Sequence, residues 1–355
     1  MKIAVAICSW GIGHATRMLP ILRALVQECD LRVYSHGRAL DALKKELGDS
    51  AAYNQLPDYP SPYTKSSMIV PRLLLNSPRM IKVMVMEHEI AENECDDCDV
   101  IISDTRYGFY STRVPSYFVV SQLRYIAPGR IRALEVLTER FTEFFRKKYR
   151  AVLVPDTEDG ALGGDLTTNL SYVSLDNIRY IGPLSDFRPI ECAQDVDVLI
   201  SITGPEPQRT LFEKRVFAQV HELDARIVIT LGKSEDCASF DKNALPDNVT
   251  VYTYLNRDER NLLMNRSKVI VSRSGYSTIM DLAVLGKKAL YIPTPGQTEQ
   301  EYLAKYHESL GYCPYVEQKR LHLSDNLKVV REYRGYGTNF NPSDSVKRAL
   351  SVILG

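Results

Sequence analysis

The 355-residue chain carries 44 Lys plus Arg against 44 Asp plus Glu, is 45% apolar and 25% charged, and has no net charge. Those figures exclude a disordered or fibrous chain, and they argue against a general nucleic-acid binder, which needs a basic excess. The length predicts between two and three domains. No apolar run reaches the roughly 18 residues that cross a bilayer. Ile3–Cys8 is too short for a secretion signal, so a cytoplasmic protein is expected. The 7 cysteines are scattered. Cys95 and Cys98 form a CxxC with no second pair to complete a zinc site, and free structural thiols are expected.

Short apolar runs alternate with longer amphipathic stretches. Strands are predicted at 2–8, 31–35, 99–103, 117–121 and 151–155, then at 197–202, 226–231, 249–255, 268–272 and 289–293. Most are rich in Val and Ile on both faces, as parallel strands covered by helices are. Helices are predicted at 14–29, 38–47, 129–149, 208–222, 277–285 and 299–310. In 129–149 the residues Ile131, Leu134, Leu137, Phe141, Phe144 and Phe145 recur at helical spacing. This βαβα alternation predicts an α/β protein of doubly wound Rossmann-like domains. It runs twice, broken near Gly182-Pro183 and Arg188-Pro189. The domains are therefore placed at 1–183 and 196–342, with a linker at 184–195 and a C-terminal helix at 343–355.

Two loops at strand ends carry the chemistry. The first is Ser9-Trp10-Gly11-Ile12-Gly13-His14-Ala15-Thr16-Arg17. Gly11 and Gly13 permit a tight turn, and the amides of the following helix start favour an anionic or polar ligand. The spacing departs from the dinucleotide fingerprint: Arg17 stands near the third glycine's place, and no acidic residue follows the second strand. His14 either caps the helix or faces the ligand as a base, with an ordinary pKa near 6.5. The second loop is Ser272-Arg273-Ser274-Gly275-Tyr276-Ser277-Thr278, with Asp281 further along the helix. Its amides suit a diphosphate, and Asp281 either is a solvated carboxylate or holds a ribose diol. The next strand opens the polar run Thr294 to Glu301, including Gln297 and Gln300.

The block Ser272-Arg273-Ser274-Gly275, Thr278, Asp281, Ala283, Gly286, Ile292-Pro293 and Glu299-Gln300-Glu301 resembles the donor site of glycosyltransferase family 28, typified by the peptidoglycan N-acetylglucosaminyl transferase. Gly11-x-Gly13-His14-x-x-Arg17 resembles that family's N-terminal glycine loop. The resemblance implies the GT-B fold, two facing Rossmann-like domains with a cleft between them. It implies that Asp281, at a position usually Glu, binds the donor ribose. Ser274 and Gly275 would face the diphosphate, and the backbone at Leu255 would read the nucleobase. Gln300 and Glu301 would touch the donor sugar, where the family usually has two glutamines. His14 becomes the candidate base. The loop at Gly204 departs from the family's Gly-Gly-Ser.

The function expected is inverting transfer of a sugar from a nucleoside-diphosphate sugar, with UDP the expected nucleotide. No Asp-x-Asp motif ends a strand, so neither metal nor cofactor is expected. His14 takes the acceptor's proton, with Asp104 the next candidate. Amides near Gly275, with Arg273, meet the leaving diphosphate. A nucleotide-sugar hydrolase and a non-catalytic nucleotide-sugar binder are the alternatives. Residues 65–86 hold Lys65, Arg72, Arg79 and Lys82, no acid and many large apolar side chains. Pro71 and Pro78 are expected to break this stretch into short pieces. It is either a core helix with a basic edge or a peripheral contact with the inner face of an anionic membrane, suited to a lipid-linked acceptor.

Overall fold

Strands apolar on both faces need helices on both faces, and the computed structural model has two such layered sheets. It describes residues 1–60, 69–232, 245–337 and 340–355, with only the backbone of 69–74. Lys65 and Met68 lie outside the described residues. The described chain divides into two compact units. One holds residues 1–60, Val70–Asp186 and Asn341–Gly355; the other holds Phe187–Phe340.

The described residues of the first unit form seven strands: β1 (Lys2–Ile7), β2 (Asp30–Ser35), β3 (Ala52–Gln55), β4 (Val100–Asp104), β5 (Ser116–Val119), β6 (Ala151–Val154) and β7 (Ile178–Tyr180). They pair in parallel in the order β3-β2-β1-β4-β5-β6-β7. The order reverses between β1 and β4, where Ile7 lies beside Asp104. The helices are α1 (Ile12–Leu25), α2 (Gly37–Leu47), α3 (Ile69–Glu94) and α4 (Arg132–Arg146). The second unit has β8 (Val196–Ser201), β9 (Ile227–Thr230), β10 (Val249–Tyr252), β11 (Ser267–Ser272) and β12 (Lys288–Tyr291). Their parallel order is β10-β9-β8-β11-β12, reversing between β8 and β11. Its helices include α5 (Gln208–Phe217), α6 (Arg257–Arg266), α7 (Tyr276–Leu285), α8 (Thr298–Ser309) and α9 (Leu323–Val329). The last helix, α10 (Pro342–Leu354), packs against α1 in the first unit.

Each core follows the apolar strands. In the second unit Ile200, Ile229, Val271 and Leu290 meet Phe212 and Val216 from α5. In the first, Phe118, Val152 and Val154 meet Tyr107 and Tyr149. Cys8, Cys95, Cys98 and Cys313 are buried and free.

One expectation is corrected. The prolines do not fragment 65–86, because α3 runs unbroken through Ile69–Glu94 with Pro78 inside it. Pro71 stands in the first turn, where an amide has no helical partner to lose. The apolar stripe of α4, which an amphipathic helix ordinarily turns to the core, faces outward, while Glu135, Glu139, Thr142 and Arg146 are buried.

Candidate functional site

Open α/β sheets bind ligands beyond the carboxyl ends of their strands, where the strand order reverses. Both predicted loops stand at such points.

In the first unit β1 ends at Ile7 and leads into the glycine loop. Gly11 is the N-cap of α1 with φ of 109°, and a Cβ there would meet nothing within 4 Å. No side chain caps α1, and its first turn holds no acid, so its first amides are open to a ligand. His14 does not cap the helix. Its Nδ1 lies 2.9 Å from Oδ2 of Asp104, at the end of the neighbouring strand β4. Asp104 is fully buried. Arg17, one turn beyond His14, donates through Nε to Oδ1 of Asp104 at 3.1 Å, and its Nη2 donates to the same oxygen. Nη1 of Arg17 reaches Ser121 Oγ at 2.9 Å, and Nη2 reaches Thr105 Oγ1 at 2.9 Å. Thr105 holds a left-handed φ of 56°, which a β-branched residue adopts only under constraint.

The charges fix the protonation pattern. Burial alone would raise the Asp104 carboxyl, but Arg17 and His14 hold it below its ordinary value. An ionised Asp104 accepts from Nδ1–H of His14, which leaves the Nε2 lone pair available. Burial and the Arg17 cation hold the imidazole below its ordinary 6.5, so it is neutral at neutral pH. Asp104 therefore orients the histidine and is not itself an exposed base. Beneath the loop, Ser9 donates to Asp58 and accepts from Nη2 of Arg106. Buried Arg106 is paired with buried Glu87 at 2.8 Å, and Glu87 also accepts from Tyr59 at 2.6 Å. Sequence reasoning missed Asp58, Tyr59, Glu87 and Arg106. Glu87 carries a signal, a charge beside the apolar run Val83–Met86; Asp58 and Tyr59, between Pro57 and Pro60, carry none.

In the second unit the loops after β8 and β11 flank the reversal. Gly204 has φ of 115°, and a Cβ there would lie 3.7 Å from Arg273 Nε and 3.8 Å from Thr294 Oγ1. Both of those polar atoms are buried without a hydrogen-bond partner. The rest of the Arg273 guanidinium is engaged. Nη1 donates to the carbonyls of Ile292 and Pro293, and Nη2 to the Gln208 carbonyl and Gln318 Oε1, while Phe212 lies under it at 4.5 Å. No carboxylate is among these partners, and burial pushes the guanidinium down to about 9.

Gly275 is the N-cap of α7, with no side-chain cap and no acid in the first turn. Tyr276 is buried; Ser277, Thr278 and Asp281 are half-buried. The spacing of three and four residues puts those three on one face of α7. Ser274 is buried and donates to the Gln300 carbonyl at 2.8 Å. Gln300 Oε1 accepts from the Thr294 amide at 2.9 Å, and Glu301 Oε1 accepts from the Gly296 amide at 2.8 Å. These two side chains brace the loop after β12. Gln297 Oε1 is buried there without a partner. Leu255 is half-buried between β10 and the Asn256 cap of α6. Among the described residues no group of three or more His, Cys, Asp or Glu could hold a metal, and no helix is long and apolar enough to cross a membrane.

Residues 205–343 match the glycosyltransferase family 28 C-terminal domain. An uncharacterised glycosyltransferase of Methanosarcina mazei is 24% identical over 334 residues, covering 88% of this chain and 84% of the relative. A Sulfurihydrogenibium UDP-N-acetylglucosamine–N-acetylmuramyl-(pentapeptide) pyrophosphoryl-undecaprenol N-acetylglucosamine transferase is 35% identical over 77 residues, 21% of this chain and 22% of that protein. Among solved structures, the glycotransferase of kitacinnamycin superposes with a TM-score of 0.61 at 14% identity, covering 99% of this chain and 93% of its own. The chain is a glycosyltransferase of the GT-B fold, similar to family 28.

Proposed function

We propose that the protein transfers a hexosyl or N-acetylhexosaminyl group from a nucleoside-diphosphate sugar, with UDP the favoured nucleotide, to an acceptor hydroxyl with inversion. The observation that carries this reading is the buried Arg273 guanidinium. It has no carboxylate among its partners, and its Nε converges with Thr294 Oγ1 on the bare face of Gly204. A buried cation without a counter-charge is costly unless an anion arrives. A diphosphate supplies that anion, and the uncapped amides of α7 add to the attraction.

In this mechanism the acceptor oxygen bonds to the anomeric carbon as the bond from that carbon to the diphosphate oxygen breaks. The electron pair leaves with the diphosphate and is met by Arg273 and the α7 amides. The acceptor's proton goes to Nε2 of His14. The leaving charge is met by fixed protein groups in the role a cation would otherwise take, so the proposal includes no resident metal. Asp281, with Ser277 and Thr278 on the same face, holds the ribose; the backbone at Leu255 reads the base. Gln297, Gln300 and Glu301 line the sugar's end. Gly11, Gly13 and Arg17 belong to the acceptor side.

The Sulfurihydrogenibium relative acts on a pyrophosphoryl-undecaprenol compound, and a lipid-linked acceptor is proposed here too. The protein would then be cytoplasmic, and peripheral at the inner face of the membrane. The part of residues 65–86 whose side chains the structure describes offers a face for that contact: Leu75, Ile81, Val85 and Met86 are exposed on α3.

Purified protein with UDP-sugars, alone and with lipid phosphate or polyprenyl-diphosphate-sugar acceptors, tests the proposal by nucleotide release and product mass. Release that depends on an acceptor is expected. Full-rate release from donor alone makes it a hydrolase; donor binding without release makes it a binding protein.

A further inference from the structure

The glycine loop that leads to His14 runs from Ser9, just past β1, into the start of α1. Its middle is free. The Gly11 amide donates to the Ser9 carbonyl at 2.6 Å, and a Cβ on Gly11 would meet nothing within 4 Å. No side chain caps α1. The place of the His14 ring is therefore set by what holds the two ends of the loop.

One turn holds both ends. Asp104-Thr105-Arg106 closes β4 at the strand reversal. Asp104 takes the helix end, with His14 Nδ1 at 2.9 Å and Arg17 Nε at 3.1 Å. Arg106 takes the strand end. Its Nε donates to the Ile7 carbonyl at 3.4 Å and its Nη2 to Ser9 Oγ at 3.3 Å. Thr105 stands between them with its left-handed φ of 56°, and its Oγ1 accepts from Arg17 Nη2 at 2.9 Å. Such a φ persists in a β-branched residue only where the surroundings over-determine it. Here it sets Asp104 and Arg106, two residues apart, at opposite ends of one loop.

Arg106 is itself fixed. It is fully buried, and its Nη1 donates to Glu87 at 2.8 Å and to the Pro57 carbonyl at 2.9 Å. Glu87, on α3, is buried too, and accepts from the Tyr59 hydroxyl at 2.6 Å and the Gly108 amide at 3.2 Å. The Tyr59 ring lies 4.8 Å from the Arg106 guanidinium and meets Trp10 of the loop edge-on at 5.9 Å. One guanidinium thus joins β1, the segment after β3, α3 and the loop. A buried ion pair is weak evidence for stability, because an apolar pair of similar volume often serves as well. An apolar pair has no donors for Ile7, Ser9 and Pro57, so what the ion pair adds is geometry.

We propose that Arg106 is a positioning residue for the transfer. Held by Glu87 and set in place by Thr105, it fixes the glycine loop so that the His14 ring meets Asp104 in its Nδ1–H form and presents Nε2 to the acceptor hydroxyl. This rests on the reading of His14 as the base. Arg106 touches no substrate and acts through the imidazole.

Two variants test it. Ser9→Ala removes the link from Arg106 to the loop hydroxyl and leaves the Arg106–Glu87 pair in place. Arg106→Lys keeps a cation beside Glu87 but loses the planar fork that reaches Ile7, Ser9 and Pro57 together. Each should lower kcat by roughly ten- to a hundredfold, the scale of a small misplacement of a reacting group. Nucleoside-diphosphate affinity should be unchanged, and unchanged amide exchange in β1 and β4 reports that the first unit is folded. Ser9→Thr, which keeps the hydroxyl, should restore kcat. In a His14→Ala background neither substitution should lower kcat further, because both act through the ring. A merely structural role would lower it equally in both backgrounds and would overturn the proposal. The nitrogen NMR spectrum of the His14 ring needs no turnover. The unsubstituted protein should show the Nδ1–H tautomer alone, and both variants a mixture of the two tautomers. A tautomer unchanged in Ser9→Ala, the milder variant, and in any folded Arg106→Lys protein also overturns the proposal. Full turnover by His14→Ala, by contrast, removes His14 as the base, while the spectrum still decides whether Arg106 positions its ring.

Discussion

His14 can act as a base only while Asp104 fixes its tautomer and Arg17 keeps Asp104 ionised. The sign of its titration follows. Its pKa lies below 6.5, so the imidazole stays neutral as pH falls through 6.5 and is protonated only below that. The acidic limb of kcat/KM is therefore expected below 6.5, and a limb above it would remove His14 from the role. His14→Ala should lower kcat by roughly 10²–10⁴ with nucleotide affinity unchanged. Asp104→Asn should also lower kcat, because the amide no longer selects the Nδ1–H tautomer. Asp281→Ala acts on the other quantity. Loss of a charge-assisted bond to a ribose costs about 1.5–3 kcal/mol, so calorimetry should show nucleoside-diphosphate affinity falling by about ten to a hundredfold with the fold intact. An unchanged dissociation constant removes Asp281 from the donor site. The glycine loop and the Arg273 block are legible in the sequence because each is a contiguous run. The partnership of His14 with Asp104 is not, because 90 residues separate them and only strand order makes them neighbours.

Among the elements, the strands apolar on both faces were readable to within a residue or two at most ends. β3 and β7 were not. Ala52-Tyr53-Asn54-Gln55 has no apolar pattern, and Ile178–Tyr180 has three residues. Both are held by pairing with a neighbour rather than by their own composition. Helix α4 shows the opposite limit. Periodicity found the helix but not its orientation, since a hydrophobic stripe says that one face is apolar and not what that face meets. The orientation predicts an inverted pattern of stability. Glu139→Ala leaves Arg124 buried without its carboxylate and should cost about 3–5 kcal/mol. Leu137→Ala, on the exposed stripe, should change stability by about 0.5 kcal/mol or less. Chemical denaturation of the two variants compares them directly. A larger loss for Leu137→Ala would mean that the helix buries its leucines after all.

At the scale of the whole molecule, each unit brings one reactive group to its own strand reversal: a histidine in the first, an uncompensated guanidinium in the second. Variants should accordingly divide by unit, those of the first changing turnover and those of the second changing donor affinity. The C-terminal helix α10 is the sharpest case, because it follows the second unit in sequence and belongs to the first in space. Ser345, Ala349 and Ile353 are its buried positions. Arg348 Nε donates to the Ile181 carbonyl at 2.8 Å, just beyond β7. The next residue, Gly182, has φ of 82°, and a Cβ there would lie 2.5 Å from Arg348 Nη2 and 2.7 Å from Ser345 Oγ. Gly182→Ala therefore combines a left-handed backbone with a collision against α10, and it should destabilise the protein by about 1–3 kcal/mol. Thermal unfolding would read the loss, and amide exchange would place it in α1 and α10. Nucleoside-diphosphate affinity should hold at its original value, because the donor groups stand in the other unit. A parallel fall in that affinity would show that α10 supports the donor unit, and the division of labour drawn here would then be wrong.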